Sequence, residues 1–125
     1  MASRPNRPLS PHLQIYRLPL TGIISISHRI TGVSLCFGLV LFVAVLSSVA
    51  DSGFSYGIMQ SWFDNLFVKL IYWGFVFALC FHLCHGVRHL IWDAGAGFDK
   101  ASMDKFALYE LAAAVLLTVL VLTLI

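Results

Sequence analysis

The sequence predicts an all-α membrane protein with three transmembrane helices, and three observations carry that expectation. Hydrophobic residues make up 59% of the 125-residue chain and charged residues only 11%, against about 25% charged in an ordinary soluble domain; mean hydropathy is +0.87. The apolar residues gather into three windows, each close to the roughly 20 residues that cross a ~30 Å hydrocarbon core. In lipid only helices or closed barrels satisfy the backbone, and these windows lack the alternation of barrel strands, so they read as helices.

The first 20 residues, "MASRPNRPLSPHLQIYRLPL", contain no apolar stretch of the kind a signal peptide needs. Their four prolines predict an extended arm with at most a short interfacial helix. Residues 21–125 read as the three-helix anchor, with spans at approximately 24–50, 63–92 and 105–125. The first contains "ITGVSLCFGLVLFVAVLSSVA", uncharged from Arg29 to Asp51. The second contains "LIYWGFVFALCFHLCHGV", between Lys69 and Arg88, and the third "FALYELAAAVLLTVLVLTLI", with Glu110 near its start. Trp62 and Trp92 stand near opposite ends of the second span, where interfacial anchors are expected.

Basic residues set the orientation. Arg4, Arg7, Arg17 and Arg29 precede the first span, and Arg88, Lys100 and Lys105 flank the second connection. The first connection, "DSGFSYGIMQSWFDN", has neither Lys nor Arg. The positive-inside rule therefore places the N-terminus and the second connection on the cytoplasmic or matrix side, with the C-terminus opposite. A net charge of +2 without a basic stripe gives no reason to expect nucleic acid as a partner. Cys36, Cys80 and Cys84 all lie in apolar runs, where an odd count argues against a disulfide framework.

The chemistry is concentrated in "CFHLCHGVRHLIWD", Cys80 to Asp93. Ionisable groups at membrane depth are costly and mark function. On a helix His82, His85 and His89 stand at i, i+3 and i+7, within a ~60° arc, with Gly86 and Asp93 on the same face. Packed polar residues, a zinc or copper site from the three histidines, an attached haem suggested by the near miss "CFHLCH", and a b-type haem ligated by one imidazole are all compatible with that pattern. For a haem, Gly86 would leave room for a flat macrocycle, and Arg88 or His89 would stand near its propionates. Histidines on one face of one helix cannot reach both faces of a porphyrin, so a sixth ligand must come from another chain or from His28. On the first span Ser25, His28, Arg29, Gly32 and Cys36 form a stripe of small and polar residues, which either lets cations snorkel to the headgroups or offers a hydroxyl and a cation to a polar ligand.

Three motifs, "RPLSPHLQIY", "SISHRITG" and "HGVRHLIWD", resemble in order and spacing the cytochrome b large anchor subunit of succinate dehydrogenase (complex II). The resemblance runs from Arg7 to Asp93. It implies a complex of a flavoprotein, an iron–sulfur protein and two membrane anchors, of which this chain is one. FAD and iron–sulfur clusters would reside in the partner subunits, and haem b would be shared with the second, smaller anchor, which supplies the other axial ligand. The family's axial histidine stands four residues before the glycine of its G-x-R-H motif, which here is His82. His28 and His89, with Arg29 or Arg88, are similar to residues near the haem propionates, and Ser25 and Arg29 to residues of the quinone pocket. His85 is not at the ligand position and receives no role. The implied function is to anchor the soluble subunits among the membrane lipids and to form part of the site where ubiquinone is reduced, with no succinate chemistry in this chain. A quinol:fumarate reductase anchor and a non-redox three-span subunit are the alternatives. Because the motifs begin almost at Met1, a bacterial inner membrane is expected, with the mitochondrial inner membrane as the alternative.

Overall fold

The computed structural model describes residues 15–51 and 53–124; most of the N-terminal arm lies outside them. The described residues form four helices and no strand: α1 (Leu20–Ala50), α2 (Gly53–Phe63), α3 (Leu66–Asp93) and α4 (Lys100–Leu124). Helices α1, α3 and α4 are each long and apolar enough to cross a membrane, as the three windows predict.

Helix α2 occupies what the charge pattern reads only as a connection. Its sequence "GFSYGIMQSWF" contains no proline, and Ser55, Met59 and Phe63, four residues apart, are its less exposed side while Tyr56, Ile58 and Trp62 are exposed. A one-sided helix of 11 residues gains its stability from such packing more than from propensity. Phe63 meets Tyr72 of α3 edge-on at 6.2 Å. The break that follows is local: the Asn65 side chain accepts a hydrogen bond from the Phe67 N–H at 2.8 Å and caps α3.

The turn between α3 and α4 is built from glycine and aspartate. Gly95 has φ +80°, a left-handed conformation that glycine adopts without strain. The Gly95 N–H donates to the Trp92 carbonyl (2.8 Å) and the Ala96 N–H to that of Ile91 (3.2 Å), a Schellman closure of α3. Asp99 then starts α4, its carboxylate accepting from the Ser102 N–H at 2.9 Å. Hydrogen bonds from Ser102, through its side chain and then its backbone, hold the exposed Asp99 carboxyl below the usual carboxylate range.

Packing is opposite to that of a soluble bundle. The buried core is small, comprising Ile24, Phe81, Ala107 and Ala114, with Leu20, Cys84 and Leu111 against it. Large apolar residues such as Ile30, Val33, Phe37 and Val40 point outward. Lipid tails are as apolar as leucine, so helix association rests on close packing and polar contacts. The buried side of α4, Ala107, Glu110, Ala114 and Thr118, follows that rule. Helix α3 packs mainly against α4 and next against α1, and its two sides carry the polar chemistry.

Candidate functional site

On the α1 side of α3 the histidines gather. Gly32, one turn after His28, admits the His82 ring: a Cβ at that glycine would lie 3.1 Å from His82 Cε1. Thr31 Oγ1 donates its only proton to the His28 carbonyl at 2.9 Å. It therefore accepts from His82 Nδ1, 3.3 Å away, which assigns the Nδ1–H tautomer and leaves the lone pair on Nε2. The His28 ring stacks on His82 with centroids 3.9 Å apart and lies 4.4 Å from His85 and 5.7 Å from His89. His28, His85 and His89 each offer one nitrogen, all within 4.8 Å of one another, an arrangement able to hold a metal ion. His28 Nε2 and His85 Nε2 are buried without a hydrogen-bond partner among the described residues; each such atom costs about 1–3 kcal/mol.

On the α4 side one carboxylate ties two positions of α3. Glu110 Oε1 accepts from His85 Nδ1 at 2.6 Å, and Oε2 accepts from Arg88 Nη1 at 3.1 Å. Arg88 Nη2 donates to the Met103 carbonyl at 2.8 Å, and its guanidinium carbon lies 4.6 Å from the centre of the Trp92 ring, a cation–π distance. His85, Arg88 and Glu110 are 1%, 3% and 6% exposed. A charge so deeply placed persists only when it is paired and hydrogen-bonded, and both acceptor oxygens of Glu110 are engaged. A neutral His85 in this pair carries its proton on Nδ1 and leaves its Nε2 an acceptor.

The residues singled out in the sequence divide between these two sides. His28 and His82 come together. Ser25 is half-buried on α1, and Arg29, one turn on, is exposed and pairs with no carboxylate among the described residues. Cys36 is also exposed, so the small-and-polar stripe of α1 faces α3 only in part. His89 is exposed and meets Trp92 edge-on at 5.1 Å. Arg88, expected near the haem propionates, places its guanidinium against α4, where Glu110 and the Met103 carbonyl receive it. The trio able to hold a metal contains His28 in place of His82, since α1 contributes a ligand that the spacing along one helix cannot show. Sequence reasoning missed the partnership of Glu110 with His85. The available signal was a carboxylate inside an apolar window, which demands a partner without naming it.

Comparison with known proteins places this geometry in a context. A family model described as the succinate dehydrogenase/fumarate reductase transmembrane subunit matches residues 3–122. The chain is 42% identical, over 96% of its length and 92% of the relative's, to the succinate dehydrogenase cytochrome b556 subunit of Paracoccus denitrificans. It is 34% identical to the protein of the same name in Rickettsia typhi, over 91% of this chain and 89% of that one. A third relative, the succinate dehydrogenase cytochrome b560 subunit of Chondrus crispus, is 34% identical over 85% of this chain and 86% of its own.

Proposed function

The chain belongs to the family of succinate dehydrogenase/fumarate reductase transmembrane subunits, and from that premise we propose that it is the cytochrome b anchor of a succinate:quinone oxidoreductase. It holds a flavoprotein and an iron–sulfur subunit at a respiratory membrane and contributes, with a second anchor, to haem b binding and to the ubiquinone-reduction site. The single observation that carries the haem reading is the state of His82. Its Nδ1–H is held by Thr31, so Nε2 is the ligating atom, and an oriented imidazole of this kind is what a haem iron takes.

The surrounding residues fit the same group. Gly86, one turn beyond His82 on α3, faces open space, with nothing within 4 Å of where a Cβ would stand, so a flat ring is admitted beside it. His28, whose buried Nε2 has no partner, and His89, exposed at the same end, are suited to propionate carboxylates, with Arg29 as the available cation. Arg88, spent on Glu110, supports this face from behind. When bound, the haem supplies a one-electron reservoir beside the quinone site. The Ser25 hydroxyl donates a hydrogen bond to a quinone carbonyl, and the Arg29 guanidinium stabilises the negative charge that develops on that oxygen as electrons arrive. The subunit itself leaves succinate untouched. A bacterial inner membrane is the proposed site.

A reduced-minus-oxidised visible spectrum of the purified membrane complex, wild type and His82→Ala, tests the reading. A b-type α-band present in the wild type and lost or shifted in the variant supports ligation by His82. An intact wild-type complex without such a band removes haem from the proposal.

A further inference from the structure

We infer that Glu110 is a positioning residue for the haem-ligand histidine: by gripping His85 and Arg88 it sets the rotation of α3 and so aims His82. The inference rests on the haem reading given above and extends it to a residue on a different helix.

In a membrane the apolar face of one helix gains little by choosing another helix over lipid, so apolar contact alone leaves rotation about the helix axis loosely specified. Leu83 and Val87 on α3, and Leu116 and Leu120 on α4, are exposed apolar residues of that undiscriminating kind. The carboxylate of Glu110 is different. Its two oxygens take donors three residues apart on α3, His85 Nδ1 at 2.6 Å and Arg88 Nη1 at 3.1 Å. Two contacts at two heights fix both rotation and register, where one would leave a pivot. The Met103 carbonyl, receiving Arg88 Nη2 at 2.8 Å, adds a third contact two turns earlier on α4.

His82 stands three residues before His85 and points about 60° away around the same helix. Its imidazole engages α1, through Thr31 and against Gly32. A side-chain tip about 5–6 Å from a helix axis moves ~1 Å for each 10° of rotation. That movement is larger than the ~0.5 Å within which a ligating group must be held. The 3.3 Å contact of His82 with Thr31 is long and cannot supply that restraint alone. The grip from α4 supplies it, which is also a reason for a carboxylate to remain inside an apolar span.

The test compares the purified complex of the wild type with Glu110→Ala and Glu110→Gln, reading haem per flavin, the shape of the haem electron paramagnetic resonance signal and the α-band. Glutamine keeps both contacts, its carbonyl accepting from Arg88 and its amide donating to His85 in the other tautomer, but it lacks the charge. The expected result is that Glu110→Ala retains haem about tenfold less tightly, with an altered signal in what remains, while Glu110→Gln keeps the wild-type signal. If Glu110→Ala does not assemble, His85→Leu, which keeps the Glu110–Arg88 pair, carries the same expectation at reduced size. A wild-type signal in every assembled variant overturns the inference and leaves Glu110 a purely structural clasp. Equal disturbance by Ala and Gln also overturns it, because charge and not geometry would then be the cause. Absence of haem from the wild type removes the haem reading and this inference together, so the wild-type arm separates the two failures.

Discussion

The two sides of α3 contrast in how their polar groups are completed. Towards α4, the two oxygens of Glu110 take His85 Nδ1 and Arg88 Nη1 within the chain, and of that network Arg88 Nε and His85 Nε2 are left without a partner among the described residues. Towards α1, His28 Nε2 has no partner among the described residues, and Arg29 and His89 are exposed. A closed polar network in a membrane span specifies how helices dock. An open one is where the proposed haem and quinone would bind. On the proposed reading the same helix carries structure on one face and binding on the other, and the difference lies in partners, not in residue type, since histidine and arginine occur on both.

That contrast can be broken most forcefully on the closed side. Arg88→Met leaves Glu110 buried with one partner lost, and breaking a buried ion pair from one side costs about 3–5 kcal/mol. Denaturation of the complex in a graded detergent series should show that loss, and Arg88→Met combined with Glu110→Leu should recover only part of it, because His85 Nδ1 then loses its acceptor. If the single variant is as stable as the wild type, the closed side is not what holds α3 to α4. On the open side the expectation reverses. Arg29→Ala should leave stability unchanged and slow quinone reduction by about 100-fold, the order expected for removing a group that meets developing charge. Dye reduction by the soluble subunits is the control, and an equal fall in both activities would assign Arg29 to assembly.

The smallest effect belongs to neither side. Asp99 begins α4 at the connection, and its carboxyl is held below the usual range by Ser102. A carboxyl with a lowered folded-state pKa contributes stability that is present above the unfolded value, about 3.9, and is lost as pH falls through the lower, folded one. Asp99→Ala should therefore speed amide exchange at Ser102 near neutral pH, with little difference from the wild type once the carboxyl is protonated. The haem spectrum should not change. A spectral change would show that the start of α4 is coupled to His82 as tightly as Glu110 is.

Much of this was legible in one dimension. The length of an apolar run decides whether a helix can span, so the three membrane helices follow from the sequence. Helix α2 did not, because the charge pattern of its segment speaks to side of membrane and not to the one-sided packing of Ser55, Met59 and Phe63. The motif around Gly86 pointed to His82, and the structure stacks the His28 ring on that imidazole. His85 was left without a role although it is the most buried large side chain among the described residues, since nothing in "CFHLCHGVRHLIWD" announces a carboxylate 25 residues away.

By itself, then, the sequence determined that the chain is helical, that it has three segments fit to cross a membrane, and which family its motifs resemble. Hydropathy and spacing along one chain are enough for those, because backbone hydrogen bonding in lipid leaves almost no other choice. Only the tertiary structure decided that Arg88 and His85 share Glu110, that His28 joins His85 and His89, and that Thr31 sets the tautomer of His82. Those outcomes depend on how each helix is rotated against its neighbour. In an apolar solvent that rotation is chosen by a few polar contacts between residues far apart in the chain.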